Sequence, residues 1–134
     1  MKKLKQTLQQ ERAEHALKRI QDAAEKYEDN EDRKKFVSYA ESTPASILIN
    51  GLGQAMATLL AQAKGDQNDP HWAIYDALKD WLCRDNPIAP YKGCRDLITA
   101  ITEGDRDSYL YAQAEALAYL EWYKKFAVAF MKTD

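Results

Sequence analysis

The sequence predicts an all-α protein, folded as a single compact bundle of about five to six helices with long first, third and last helices. Only five glycines and four prolines interrupt its 134 residues. Residues that favour helices are frequent, and no stretch alternates between apolar and polar residues over the length of a strand. A chain of this length is typical of one domain and can bury roughly two-thirds of its unfolded surface. We therefore expect one helical domain over residues 1–134.

The first helix is predicted to cover most of residues 2–28, because apolar residues recur there at spacings of three and four. This stripe consists of Ala13, Ala16, Leu17, Ile20, Ala23, Ala24 and Tyr27. The acidic run at 28–32 is expected to end this helix and to begin the next one, since carboxylates suit a helix N-terminus. The sequence thus predicts an amphipathic first helix with one buried face.

A short second helix is predicted to end before Pro44, because proline disfavours helical backbone in the residue that precedes it. Thr43 would then be the N-cap, and Pro44 the first residue, of a third helix that runs to about Lys64 and stops at Gly65. The third helix is the most apolar segment, with Ile47, Leu48, Leu52, Ala55, Met56, Leu59, Leu60 and Ala63. We expect it to be the central element of the bundle.

Three further helices are predicted after residue 65. Asp69 and Pro70 repeat the signal of a cap followed by proline, and residues 86–90 read as a loop. A short fifth helix stops at Gly104, and the last helix begins near 105–108 and runs almost to the end. The last helix has two apolar stripes, one with Ala116, Leu117, Leu120, Tyr123, Ala127 and Phe130 and one with Tyr119, Trp122 and Phe126. Such a helix is buried among several helices or used against another chain.

Charge and hydropathy narrow the classes of function. With 19 basic and 21 acidic residues the net charge is −2, which gives no global attraction to nucleic acid or to an anionic membrane. No run approaches the 18 or so apolar residues of a transmembrane helix, and the basic start lacks the apolar stretch of a signal peptide. We therefore expect a cytoplasmic protein with no membrane partner, in which any nucleic-acid binding depends on a local patch.

Cysteine and histidine are scarce. Cys83 and Cys94 have no nearby metal-ligand partners, and two thiols without an export signal are expected to be reduced rather than bridged. The two histidines, His15 and His71, are too few for a multi-histidine metal centre. The sequence therefore predicts no bound metal and no cofactor.

The segment Asn50-Gly51-Leu52-Gly53-Gln54 invites comparison with a dinucleotide-binding loop, which we reject. Met56 replaces the third glycine, and the segment lies within a predicted helix instead of after a strand. We interpret Asn50, Gly51 and Gly53 as structural, allowing another helix to approach closely or the helix to bend. Trp81 and Trp122 are likewise assigned to helix packing.

No catalytic residue can be assigned. The common nucleophile, phosphate-loop and zinc-protease motifs are absent from the sequence. Glu11 and His15 are four residues apart on one helix and are best explained as a surface pair. Asp76 and Asp80 have the same spacing and more often form a solvated face than a catalytic pair. The sequence therefore favours a protein without enzymatic activity.

Basic residues are unevenly distributed along the chain. Residues 1–35 contain ten Lys or Arg against eight Asp or Glu, whereas residues 64–107 contain six against nine. Lysine and arginine beside aromatic rings can bind phosphates while the rings stack on bases. The candidate nucleic-acid-binding residues are Arg12, Lys18, Arg19, Lys124 and Lys125. The alternative is that these are solvated side chains in ordinary helical ion pairs.

Four segments carry a resemblance to a known family: residues 12–16 (Arg-Ala-Glu-His-Ala), 43–57, Trp81-Leu82 and 115–127. Together they resemble the small α-helical subunit of the type III-B CRISPR–Cas effector complex, the Cmr or RAMP module. The second and fourth segments are the most specific, and the four span nearly the whole chain. Where the family usually reads Trp-Leu-Lys-Arg-Phe-Ala, this chain has Tyr123 and Lys125, and a lysine keeps the charge but lacks the planar fork of arginine.

The resemblance implies a noncatalytic protein that packs in a few copies inside a crRNA-guided ribonucleoprotein that degrades invading RNA in antiviral defence. Its implied partners are the large subunit, the repeated backbone subunits, further copies of itself, and crRNA with target RNA. Basic residues would contact the guide–target region. A generic helical protein-interaction adaptor without RNA contact is the alternative, and a small enzyme built on Asp76, Asp80 or Cys83 is a third class.

Overall fold

Six α-helices and their connections make up residues 4–133, the part of the chain that the computed structural model describes. The helices are α1 (Leu8–Lys26), α2 (Asn30–Asn50), α3 (Leu52–Ala63), α4 (Pro70–Leu82), α5 (Leu97–Glu103) and α6 (Arg106–Met131). Within these residues there is no strand, so the prediction of an all-α fold is confirmed. No helix in this range combines the length and apolar character needed to cross a bilayer.

Helix α6 is the element around which the others pack. It lies against α1 and α2, and α3 and α4 complete the bundle. Its alanines Ala112, Ala116 and Ala127 are fully buried, which lets neighbouring helices approach closely, and Tyr119 is fully buried between them. The expectation that the third helix is central is therefore wrong, because the longest helix offers buried residues along most of its length.

Helix α1 begins at Leu8 and not near residue 2. Thr7 forms a capping box: its hydroxyl accepts a hydrogen bond from the Gln10 backbone N–H at 3.1 Å, and the Gln10 side-chain oxygen accepts from the Thr7 N–H at 2.9 Å. These bonds satisfy backbone donors that a helix start leaves free. The predicted first turns before Thr7 are replaced by non-helical backbone at 4–7, and residues 1–3 lie outside the described range.

Helix α2 continues through Pro44, so the prediction of a helix boundary at Thr43 and Pro44 is wrong. A proline inside a helix removes one backbone hydrogen bond and costs about 3 kcal/mol. Both residues are buried, and the Thr43 hydroxyl donates to the Tyr39 carbonyl at 2.6 Å. Packing of the 21-residue helix along α6 offsets the local cost. Local proline chemistry predicted a break that tertiary packing overrides.

The break falls instead at Gly51, where the backbone has φ +87°, a value that L side chains rarely adopt. Two side chains of α6 then cap the start of α3. The Leu52 N–H donates to the Gln113 side-chain oxygen at 2.9 Å, and the Gly53 N–H donates to the Tyr109 hydroxyl at 3.0 Å. The glycines thus provide both a sharp turn and a close approach of α6, while Asn50 is the exposed last residue of α2.

Replacing Gly51 with alanine is expected to destabilise the protein by about 2–3 kcal/mol, through the left-handed backbone and a steric clash. A Cβ at this position would lie 3.0 Å from the Tyr109 hydroxyl oxygen. Gly65 is a matched control, since its φ is +79° but nothing lies within 4 Å of the added Cβ. Gly65→Ala should therefore lose only the backbone part, about 1–2 kcal/mol. Urea unfolding measures the stability of both variants. Equal losses for Gly51→Ala and Gly65→Ala would refute a role for the Tyr109 contact.

The two cysteines form a disulfide, with 5.0 Å between the Cα atoms of Cys83 and Cys94. The expectation of two separate reduced thiols is therefore wrong. The chain folds back after α4, where the Tyr91 N–H donates to the Leu82 carbonyl and the Gly93 N–H donates to the Cys83 carbonyl. This turn brings the two sulfurs together, and the spacing of the cysteines along the sequence gives no sign of it.

Candidate nucleic-acid interface

The five basic residues predicted to contact RNA do not form one surface. Lys18 and Arg19 line a cleft between α1 and α4, whereas Lys124 and Lys125 line a separate groove where α6 meets α2. Arg12 is held on the face of α1 that packs against α6. The candidates thus divide into an α1 group and an α6 pair.

Arg12 belongs to a buried network that joins three helices. Its guanidinium donates two hydrogen bonds to the Glu115 carboxylate, at 2.6 and 2.9 Å, and the Trp81 indole N–H donates to the same carboxylate at 3.0 Å. Glu115 is only 3% exposed. The hydrogen bonds to Glu115 raise the pKa of Arg12 above its usual value. The geometry ties α1, α4 and α6 together and occupies the planar fork that would otherwise bind a phosphate.

Arg19 and Lys18 also have carboxylate neighbours. The Arg19 guanidinium donates to Asp76 on α4 in a half-buried ion pair, which keeps the pKa of Arg19 raised despite burial. The Lys18 ammonium lies 3.7 Å from Asp22, and both side chains are exposed. A phosphate would have to displace Asp76 to reach Arg19, whereas Lys18 can exchange partners at low cost.

The α6 pair is the more accessible of the two groups. Lys124 and Lys125 lie 3.4 and 3.6 Å from the carboxylate of Glu121, and both pairs lie on one turn of helix near the surface. Their groove has a volume of about 350 Å³ and is also lined by Glu41 and Val128. With Glu121 and Glu41 beside the two lysines, the formal charges of these four side chains sum to zero.

His15 pairs with Asp80 and not with Glu11, contrary to the sequence interpretation. Its Nε2 lies 2.6 Å from an Asp80 carboxylate oxygen, and its Nδ1 lies 2.7 Å from the Tyr119 hydroxyl. Burial lowers the pKa of His15, although Asp80 acts in the opposite direction. The neutral imidazole is thereby favoured, and it links α1 to α4 and α6 as part of the packing.

Two residues of this region were missed from the sequence, Glu115 and Arg84. The residues next to Glu115 in the sequence are mostly apolar or aromatic, and they do not indicate that its partner is Arg12, which lies 103 positions away. The Arg84 guanidinium carbon lies 3.6 Å from the centre of the Trp81 ring. The sequence could have indicated this contact, because Arg84 follows Trp81 by three residues at the end of α4. Among residues 4–133 no group of three His, Cys, Asp or Glu side chains is arranged to hold a metal ion.

Comparison with known proteins matches almost the whole chain. A model of the family described as CRISPR-associated protein (Cas_Cmr5) matches residues 8–130. The chain is similar to the CRISPR system Cmr subunit Cmr5 of Thermus thermophilus, with 28% identity over 120 residues that cover 90% of this chain and 92% of the relative. The matched range begins with α1, ends in the last turn of α6 and includes every basic candidate named above.

Proposed function

The chain belongs to the Cas_Cmr5 family of CRISPR-associated proteins, and on this premise we propose that it is a noncatalytic small subunit of a crRNA-guided type III-B CRISPR ribonucleoprotein. The family match over residues 8–130 is the observation that carries the proposal. The name of the Thermus thermophilus relative, a Cmr subunit, supports the same role. It agrees with the resemblance that the sequence motifs indicated, and with the absence of recognisable catalytic motifs.

Exposed apolar side chains support a role in assembly. Leu48 and Ile49 on α2 are 71% and 79% exposed, and Leu110 and Phe130 on α6 are 55% and 58% exposed. Large apolar side chains kept in water are typical of surfaces that another chain covers. We propose that these surfaces meet the backbone subunits, the large subunit or further copies of this chain within the complex.

The α6 pair is the part of the proposed RNA contact that needs the least rearrangement. Lys124 and Lys125 can turn from Glu121 towards a phosphate, while Arg12 and Arg19 would first have to leave half-buried or buried carboxylates. Contact by Arg12, Lys18 and Arg19 stays a prediction. Because the net charge is −2, we expect weak binding of the free chain to single-stranded RNA. About three phosphate contacts would give a log–log salt slope near −2.

A helical adaptor without RNA contact is the second candidate. The observation that favours it is that each of the five basic candidates has a carboxylate within ion-pair distance in the chain itself. On this reading the basic residues stabilise the bundle and its surface, and only the other subunits hold RNA. The two candidates differ in what charge reversal on α6 does to the assembled complex.

Reversing the α6 pair, with Lys124→Glu and Lys125→Glu together, is expected to weaken target-RNA binding by the assembled complex while the subunit remains folded and incorporated. Loss of two phosphate contacts should reduce the magnitude of the salt slope by about 1.4. The matched control is Lys34→Glu with Lys35→Glu, an adjacent exposed pair at the start of α2. Filter binding at several salt concentrations measures the effect. Unchanged RNA binding with full incorporation would favour the adaptor.

A further inference from the structure

The cleft between α1 and the end of α4 has a volume of about 580 Å³ and contains Arg84, on which the carboxylates of Glu115 and Glu11 act electrostatically without forming an ion pair with it. Arg84 is half-buried, stacks on the Trp81 ring, and donates one hydrogen bond to the Trp81 carbonyl at 2.7 Å. No carboxylate among residues 4–133 lies within ion-pair distance of it. Arg12 and Arg19, which flank the same region, each have one.

The remaining donors of Arg84 are therefore available to a ligand. A guanidinium has five N–H donors, and the fold uses one of them here through a single bond to a carbonyl. Burial lowers the pKa of Arg84, but an arginine side chain remains charged at every physiological pH. A half-buried cation with a free planar fork is suited to bind a carboxylate or a phosphate by donating two parallel hydrogen bonds to it.

Trp81 gives this guanidinium a rigid support. The Trp81 ring stacks on Tyr119, with ring centres 5.5 Å apart and an interplanar angle of 20°, and its N–H is held by Glu115. Trp81 itself is 3% exposed, so Arg84 forms the outer layer of the stack. Because the support is already ordered, little conformational entropy is lost when a ligand binds.

The charge of the cleft distinguishes a protein ligand from RNA. Its basic residues are Lys5, Lys18, Arg19 and Arg84, and its acidic residues are Glu11, Glu14, Asp22 and Asp80. Counting only the lining residues that the structure describes, the four cations and four carboxylates sum to zero, and His15 in the same cleft favours its neutral form. A polyanion would meet four carboxylates there. Lys18 and Arg19 already have carboxylate partners and Lys5 is exposed to solvent, so one acidic side chain of a protein segment would pair best with the half-buried Arg84. Tryptophan and arginine are also among the residue types enriched at the energetic hot spots of protein interfaces.

We propose that the α1–α4 cleft binds a segment of a partner protein that presents an aspartate or glutamate side chain to Arg84. This inference rests on the proposed membership in a larger complex, and it adds a specific docking contact to it. The acidic side chain completes the ion pair that the chain leaves open, with Trp81 and Tyr119 holding the guanidinium in place.

Truncation of Arg84 tests the contact in the purified complex. Arg84→Ala is expected to weaken association of the chain with the other subunits about 30-fold or more, since removing one partner of a buried charge pair has an effect of this size. Arg84→Lys keeps the charge without the fork and should lose part of the affinity. Arg95→Ala, an exposed arginine outside the cleft, is the control and should leave association unchanged. Circular dichroism melting of each variant shows that the fold is retained.

A photo-crosslinking residue at Leu4 identifies what occupies the cleft. Leu4 lines the cleft and is 89% exposed, so p-benzoylphenylalanine can replace it without disturbing the core. In the intact complex we expect adducts to an acidic peptide of another subunit, identified by mass spectrometry and lost in Arg84→Ala. Adducts to RNA would overturn the proposal in favour of a phosphate site. If the wild-type chain and the Arg84→Ala variant both co-purify normally with the other subunits, the cleft contact is contradicted and the proposed function is not. If the wild-type chain itself fails to co-purify, the proposed function is contradicted.

Discussion

Replacing Glu115 with alanine is expected to lower the free energy of unfolding by about 3–5 kcal/mol, because it leaves the partly buried Arg12 guanidinium and the buried Trp81 N–H without their acceptor. The Glu115 carboxylate accepts two hydrogen bonds from Arg12 and one from Trp81, and it is 3% exposed. Alanine would strand the guanidinium and the indole N–H inside the junction of α1, α4 and α6. Urea unfolding monitored by circular dichroism at 222 nm measures the loss.

Two control variants show whether the loss comes from the burial of the carboxylate or merely from the removal of a charge. Glu121 on the same helix is 52% exposed and pairs with Lys124 and Lys125, so Glu121→Ala should change stability by less than about 1 kcal/mol. Replacing Arg12 and Glu115 together by leucine should recover most of the loss, since no buried charge then lacks a partner. A Glu115→Ala effect as small as that of Glu121→Ala would contradict the buried network.

Replacing Trp81 with alanine is expected to destabilise the protein by about 3–5 kcal/mol, the usual range for removing a large buried aromatic side chain. Trp81 is 3% exposed and lies between Tyr119 on one side and Arg84 on the other. The same unfolding measurement applies. Trp122→Ala is the control, because Trp122 is only partly buried and its N–H bonds to the exposed side chain of Gln9, so its effect should be clearly smaller.

The Trp81→Phe variant separates the contribution of the Trp81–Glu115 hydrogen bond from the contribution of the side-chain volume. Phenylalanine keeps a ring on Tyr119 but cannot donate to Glu115, which then keeps only its two bonds from Arg12, so a loss of about 1.5–3 kcal/mol is expected from one missing hydrogen bond to a charged group. Combined with Glu115→Ala, the effects should fall short of the sum, because the two residues share that hydrogen bond. Full additivity, or a Trp81→Ala effect no greater than that of Trp122→Ala, would show that Trp81 does not anchor the junction.

The starts of α4 and α6, each marked by a local chemical signal, could be predicted from the sequence, whereas the equally local capping box of Thr7 and Gln10 at the start of α1 was missed. Asp69 caps α4, with Pro70 as its first residue, and the Asp69 side chain accepts from the His71 N–H at 2.8 Å. Asp105 caps α6 by accepting from the Ser108 N–H at 2.7 Å. In both cases the bonded groups lie two or three residues apart, so the sequence contains the whole interaction.

Boundaries that depend on distant residues could not be predicted. Pro44 predicts a break when only its neighbours are considered, but α2 continues through it while packed against α6. The actual turn at Gly51 is capped by Tyr109 and Gln113, more than 55 positions later. The disulfide between Cys83 and Cys94 likewise depends on how the chain returns after α4.

The same difference between local and distant partners applies to the candidate site. The sequence allowed for ordinary helical ion pairs in general, and Lys125 and Glu121, four residues apart on α6, form one with 3.6 Å between their charged atoms. It could not predict the partners of Arg12 or His15, which come from α6 and α4. RNA contact by the basic residues therefore stays a prediction, and nothing in the sequence indicated that Arg12 and Arg19 are held by carboxylates of other helices.

Membership in a CRISPR ribonucleoprotein is the claim on which the proposals depend, and affinity purification of the tagged full chain from its own cells tests it most directly. The bound proteins are identified by mass spectrometry and the bound nucleic acid by sequencing. We expect the other Cmr subunits together with crRNA, in amounts comparable to the tagged chain. Recovery of the folded chain alone, or with unrelated proteins and no crRNA, would contradict the account.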